Sequence, residues 1–212
     1  MKPTEKQLIA LREAIEKDPS VSEKRRRHIL AVERMAVTLG ELYAPESIGV
    51  LRAAALLHDL TKEYTTERHL ELLGRAGKAV REVELSAPKT LHAMTAAQLI
   101  PELYPELADS EVVSAVRWHT TGRAGMTLIE KLIFLADYID DSRSFEDCVA
   151  LRRMFFDADL QNMTERERLS HLDAVLTAAY RMTISALVSE SSCINPDTLE
   201  AYNELVCRSN KN

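Results

Sequence analysis

The chain has 212 residues, enough for one domain with a sizeable core, and its 46% apolar and 28% charged content argues against a disordered or fibrous protein. A formal net charge of −6 argues against wrapping nucleic acid through an overall basic field, so no nucleic-acid partner is expected. Three widely spaced cysteines (Cys148, Cys193 and Cys207) and no C-x-x-C argue against a disulfide framework or zinc ribbon and fit reduced thiols.

The opening Met1-Lys2-Pro3-Thr4-Glu5 has no apolar stretch behind it, and no segment approaches 18 consecutive apolar residues. Neither a secretory signal nor a membrane span is expected, and the cytoplasm is the expected location.

Helical periodicity dominates, without period-two alternation, so the fold class is all-α. A first helix is predicted from Thr4 to Lys17, ending before Asp18-Pro19. Ser20-Val21-Ser22-Glu23 reads as a capping box that opens a second helix to about Leu39, with Gly40 as its terminator. A third begins near Pro45 and reaches His58-Asp59. Tyr64 to Ser86 reads as short helical pieces interrupted by Gly74 and Gly77. The pattern resumes from Lys89 to Ile100, where Pro101 and Pro105 punctuate. Asp109 or Ser110 caps a helix that ends near His119, and a second capping box, Thr127-Leu128-Ile129-Glu130, starts one running through Asp140. Helices over Phe145–Phe156 and Thr164–Glu190 follow, and Asn195-Pro196 opens the last. Residues 1–18 read as a helical extension ahead of a single domain over 19–212.

Four of the six histidines stand where core residues are expected. His28 shares a helix face with Val32, Met35 and Leu39; His58 with Leu51, Ala54 and Ala55; His92 with Ala96 and Leu99. His119 closes the segment Val112 to Trp118. Asp137 sits among Ile133, Phe134 and other apolar neighbours, where an unpaired carboxylate is costly. Singly, an inward histidine is an ordinary satisfied core residue, and a buried aspartate caps a helix or meets an arginine. Together with the His58-Asp59 dyad they point to one metal centre, because helices of a bundle can converge such groups and imidazole–carboxylate donors suit a catalytic first-row metal.

The order His28, His58-Asp59, His92, His119, Asp137 resembles the HD-domain metal-dependent phosphohydrolases. The closer similarity is to the YqeK-type branch, the symmetrical bis(5'-nucleosyl)-tetraphosphatases. It is carried by Ala54-Ala55-Leu56-Leu57-His58-Asp59-Leu60-Thr61-Lys62-Glu63, by Leu91-His92, by His119-Thr120-Thr121-Gly122-Arg123-Ala124-Gly125-Met126, by Leu135-Ala136-Asp137-Tyr138-Ile139, and by the tail from Asn195 to Asn203. The resemblance implies an HD-domain helical bundle in which His28, His58, Asp59, His92, His119 and Asp137 hold two divalent metal ions, Asp59 bridging them. It implies iron as the metal and diadenosine tetraphosphate as the substrate, split into two ADP by a metal-bound hydroxide. The same donors also accept manganese, cobalt or zinc. One departure stands out: Asp140-Asp141-Ser142-Arg143 replaces the family's usual Glu-Pro before its arginine.

Around this constellation, Asp59 and Lys62 are the catalytic candidates. Lys62, three residues after Asp59, is placed to neutralise phosphate oxygens or protonate the leaving group. Arg123, flanked by Gly122 and Gly125, reads as a bidentate phosphate contact, with Gly122, Thr120 and Thr121 beside it. Arg25, one turn before His28, joins them as a substrate contact, whereas Arg26 and Arg27 read as solvated. Trp118 reads as a core anchor, and His69 and His171 as ordinary surface or partly buried residues. Two other functions stay open on sequence alone: an HD phosphohydrolase acting on mononucleotides or nucleoside triphosphates, and a non-catalytic nucleotide or metal sensor. A complete ligand set counts against the sensor. The scattered apolar surface is compatible with a homodimer.

Overall fold

The computed structural model describes residues 2–209, which form eleven α-helices with no strand among them. In chain order they are α1 (Glu5–Lys17), α2 (Glu23–Tyr43), α3 (Ile48–Leu57), α4 (Thr66–Arg75), α5 (Glu82–Ser86) and α6 (Leu91–Leu103). The remainder are α7 (Ser110–Trp118), α8 (Leu128–Ile139), α9 (Glu146–Phe156), α10 (Glu165–Ser189) and α11 (Pro196–Ser209). Single 3₁₀ turns at Pro45–Ser47, Pro88–Thr90 and Pro105–Leu107 each begin with proline, which cannot donate to a preceding turn.

Helix α3 is the hub. Val50, Leu51, Ala53, Ala54, Ala55, Leu56 and Leu57 are all buried, as a helix apolar on nearly every side must be, with Arg52 its one charged residue. It contacts α1, α2, α7 and α8, while α6 lies on α7, and α9 and α11 lie on α10. Leu8 and Leu11 of α1 enter the same core as Val32 and Leu39 of α2. A polar clamp fixes that arrangement: buried Glu33 accepts from Arg12 at 3.1 Å and from Arg52 at 2.9 Å, tying α1 and α3 to α2.

Local capping chemistry explains most helix starts. Thr4 and Gln7 close a capping box at α1, and Thr127 and Glu130 another at α8. Asp109 caps α7, and Asn195 Oδ1 accepts from Asp197 N at the start of α11. At α2 the expected four-residue box is absent. Ser22 is the cap, and Glu63, from the loop after α3, accepts from its backbone N–H at 2.9 Å.

Two expected breaks do not occur. Gly40 lies inside α2, and a Cβ there would come within 2.7 Å of Leu51 Cδ1. Its role is close approach of α2 to α3; the helix ends at Tyr43, with Ala44 as its C-cap ahead of Pro45. Pro101 lies in the last turn of α6, which continues to Leu103.

Candidate metal centre

Three of the four inward histidines are aimed by their own backbone turns. Helices α3 and α7 end on His58 and His119, where the last carbonyls have no intrahelical donor. His58 Nδ1 donates to Ala55 O and His119 Nδ1 to Val116 O, each at 2.7 Å. His92, at the start of α6, makes the same bond to Lys89 O at 2.7 Å. A carbonyl only accepts, so each Nδ1 carries a proton, and a ring that is neutral points its Nε2 lone pair inward.

These lone pairs converge. His92 Nε2 faces His119 Nε2 at 2.9 Å, and His58 Nε2 lies 3.3 Å from His28 Nε2. Burial pushes the His92 and His119 imidazoles below the usual histidine range, so both are neutral. Two neutral imidazoles presenting lone pairs to each other at this distance repel unless a cation lies between them. The donor set thus fits a divalent metal ion, as do the triads His28–His58–Asp137 and His58–Asp59–His119, each with ligand atoms within 4.8 Å of one another.

Asp59, just after α3, sits between the two histidine pairs with one oxygen turned to each. Its Oδ1 is 3.2 Å from His92 Nε2 and 3.9 Å from His119 Nε2. Its Oδ2 is 3.3 Å from His58 Nε2 and 3.6 Å from His28 Nε2. Burial alone would raise this carboxyl, but the surrounding imidazoles, His58 first, hold it well below the usual range. Asp137, on α8, lies 2.9 Å from His28 Nε2 and 3.7 Å from His58 Nε2. Burial opposes ionisation here too, and Arg143 and His28 overrule it.

His28 differs from the other three. Burial pushes it down, but hydrogen bonds to Asp137 and to Asp140, whose Oδ2 is 3.3 Å from Nδ1, carry it to about 9. A cation binding at Nε2 therefore displaces a proton.

Above these groups opens a cleft of about 540 Å³ with a cationic rim. Lys24, Arg25 and Arg27 line it from α2, and Lys62 and Arg143 from the other side. Arg25 pairs with Asp59. Lys62 Nζ donates to His92 Nε2 at 3.1 Å and lies 3.9 Å from Asp59 Oδ1. Burial depresses the Lys62 ammonium despite the pull of Asp59 and Asp137. Arg143 donates to Asp137 at 2.6 Å and to Asp140 at 3.2 Å.

All six expected ligands are thus brought together, with Arg25, Lys62 and Thr120. The Thr120 hydroxyl lies 3.0 Å from His119 Nε2 and 3.2 Å from His92 Nε2. Thr121, Gly122 and Arg123, expected as substrate contacts, are instead engaged by other parts of the fold. Thr121 is buried, its hydroxyl donating to Gly122 O and its carbonyl accepting from Thr198 of α11. Gly122, at φ +63°, lies against Tyr180, where any Cβ would meet the phenol oxygen at 1.7 Å. Arg123 donates to buried Glu130 at 2.9 Å.

Sequence reading also missed three residues. Asp140 and Arg143 support the ligands and fall in the segment that departs from the family pattern; Asp140, three residues past Asp137, was the available signal. His69 is buried, and its ring bonds Thr95 at 2.8 Å, whose hydroxyl meets Thr61 at 2.7 Å behind His92. Its spacing to Leu72 and Leu73 on α4 carried that signal. Arg27 lines the cleft rather than facing only solvent, and Arg26 caps the carbonyls of Ile15, Asp18 and Val21. Trp118 is only partly buried, with Arg117 over its ring at 4.1 Å.

A helical bundle holding an inward His-Asp dyad with further histidines and an aspartate from neighbouring helices is the architecture of one protein class. The chain belongs to the HD domain family, whose model matches residues 25–141. Within it, three relatives are named bis(5'-nucleosyl)-tetraphosphatase, symmetrical. The Halalkalibacterium halodurans protein is 30% identical, covering 89% of this chain and 92% of its own length. The Staphylococcus aureus protein is 33% identical over 78% of this chain and 86% of its own, and the Bacillus subtilis protein 28% identical over 88% and 91%. A crystal structure of a predicted HD superfamily hydrolase involved in NAD metabolism, from Clostridium acetobutylicum, superposes with a TM-score of 0.78 at 27% identity, covering 94% of this chain and 97% of that one.

Proposed function

We propose that this chain hydrolyses dinucleoside polyphosphates, splitting diadenosine tetraphosphate symmetrically into two ADP. The observation that carries the reading is the convergence of four imidazole nitrogens on Asp59 at the floor of a cationic cleft. The relatives named symmetrical tetraphosphatases supply the substrate class.

His28, His58, Asp59 and Asp137 would hold one divalent ion, and Asp59, His92 and His119 a second, with Asp59 shared. When bound, such ions supply positive charge at the anhydride oxygens and make a water acidic enough to attack near neutral pH. Iron is the metal the family resemblance favours, and manganese, cobalt or zinc suit the same donors.

The chain's own residues do the rest. Asp59 directs one oxygen to each histidine pair, fixing their separation. Arg25, Arg27 and Arg143 neutralise the polyphosphate and hold it against the floor. Lys62, its ammonium made more acidic by burial, sits where it can give a proton to the departing ADP oxygen. Thr120 offers a hydroxyl to the same phosphate. Neither Thr121, Gly122 nor Arg123 is part of this reading.

A cytoplasmic location is part of the proposal: no described helix is long and apolar enough to cross a membrane, and the three cysteines are free.

The test is anaerobic purification with metal analysis, followed by product identification on diadenosine tetraphosphate. Two ADP as sole products, loss on chelation and recovery on adding Fe²⁺ or Mn²⁺ are expected. ATP plus AMP would refute symmetrical cleavage, and tight nucleotide binding without turnover would favour a sensor. Lys62→Met is expected to keep its metal and lose activity on the order of 10²-fold or more.

A further inference from the structure

We propose that Phe145 is the platform on which one nucleobase of the substrate stacks, making a phosphate-binding cleft specific for nucleotides. The inference rests on the reading of the chain as a dinucleoside polyphosphate hydrolase.

Phosphate is well provided for: Lys24, Arg25, Arg27, Lys62 and Arg143 all line the cleft. These cations would grip any polyphosphate, with or without nucleosides attached. Phe145 lines the same cleft and, among the described residues, is the one Phe, Tyr or Trp to do so. At 70% exposure it is also the most exposed large apolar side chain among the described residues. Isolated apolar residues on a surface are ordinary. This one stands on the rim of a charged cleft, where a polar residue would be the cheaper choice.

Its place in the helix sharpens the point. Phe145 is the N-cap of α9, at φ −62° and ψ 140°, and its side chain makes no cap hydrogen bond. Asp, Asn, Ser or Thr at such a position stabilises the helix over a non-capping residue. Phenylalanine forgoes that and gives the core nothing in return. The backbone beneath it is nonetheless fixed, since Phe145 O accepts from Val149 N at 3.0 Å and α9 is anchored by buried Cys148, Leu151 and Phe155. A rigid ring on a rigid stem, beside a polyphosphate track, is what a base needs in order to stack.

Stacking on an aromatic side chain is worth about 1–3 kcal/mol per base and tolerates any base, because all bases have a π face. The lining has no Asn or Gln to read a base edge. Phe145 therefore adds affinity for a nucleoside without choosing between adenine and guanine.

The experiment uses the full-length, metal-loaded chain with Phe145→Ala, Phe145→Leu and Phe145→Trp. For diadenosine tetraphosphate, Phe145→Ala is expected to raise KM about five- to 150-fold, the range of a stacking loss, with kcat within twofold. Phe145→Leu falls between, and Phe145→Trp restores KM. Inhibition by inorganic tripolyphosphate, which has no base, is expected to stay the same in all three. A second readout does not depend on turnover: ADP should quench the fluorescence of the tryptophan in Phe145→Trp, with the parent chain, whose one tryptophan is Trp118, as blank. An unchanged KM in Phe145→Ala, no quench by ADP, or an equal loss of tripolyphosphate inhibition would each overturn the proposal. Quenching by ADP in a protein that turns over no dinucleotide would support the stacking platform and defeat the hydrolase reading.

Discussion

Asp140 Oδ2 lies 3.3 Å from His28 Nδ1 and accepts from Arg143 Nε at 3.2 Å, so one carboxylate joins an inward histidine to a cleft cation. Ser142 N donates to the other oxygen at 2.8 Å, which leaves Asp140 little freedom to turn. Carboxylates that bond the outer nitrogen of a ligating histidine fix its tautomer and ring angle, and losing one typically costs 10–100-fold in metal affinity. Asp140→Ala is therefore expected to weaken metal binding by about that factor, measured by competition with a chelator, while Asp140→Glu retains most of it. Wild-type affinity in Asp140→Ala would show that the bond orients nothing.

Arg123 and Glu130 carry a prediction about stability in place of catalysis. Glu130 is fully buried and accepts from Arg123, from Ser114 and from the Thr127 backbone N–H. Arg123→Ala is expected to cost about 2 kcal/mol in urea unfolding, the scale of a charged hydrogen bond, with KM within twofold of the parent. Glu130→Ala should cost about 3 kcal/mol or more, since it removes the bonds from Arg123, Ser114 and Thr127 together. A large KM effect with unchanged stability in Arg123→Ala would return that arginine to the substrate.

Gly122 tolerates no side chain. At φ +63° an L-residue is strained, and a Cβ would lie 1.7 Å from Tyr180 Oη and 2.8 Å from its Cζ. Gly122→Ala is expected to destabilise by about 3 kcal/mol or more. Adding Tyr180→Phe should return only part of this, because it removes the oxygen and leaves the ring and the backbone strain. Full recovery in the double variant would place the whole cost in the oxygen contact.

His69 gives the fold a pH dependence. Burial, with help from His92 and Lys62, depresses its pKa to about 4 from the ordinary 6.5. The unfolded chain therefore takes up a proton at this residue before the folded one does. Its contribution is present in full above pH 6.5 and is lost as pH falls toward 4. Urea midpoints measured across that interval should drop in the parent and drop less in His69→Gln. Parallel curves for the two would assign the acid sensitivity elsewhere.

What the residues alone disclosed follows the range of the interactions involved. The boundaries at Thr4, Thr127 and Asn195-Pro196 depend on contacts within one turn, and they stand as read. Gly40 and Pro101 could not be read the same way. Whether glycine ends a helix or admits a neighbour depends on Leu51 across the interface, which no local rule contains. The six candidate ligands were legible because an imidazole or carboxylate on an apolar helix face contradicts its surroundings. The Arg123–Glu130 pair was not legible because a loop side chain follows the turn beneath it, here set by the positive φ of Gly122, and the buried acid waiting on α8. Asp140 and His69 were hidden for the opposite reason: each looks ordinary until the group it supports is in view.

The short bonds from His58, His92 and His119 to carbonyls three residues earlier in their own turns make the aim of each ring a property of a few consecutive residues. A substitution that loosens the bundle elsewhere should thin the population of folded molecules without blunting those that remain. Damage of that kind would appear as lower yield at constant activity per native molecule, and would be open to repair by any stabilising change at a distance.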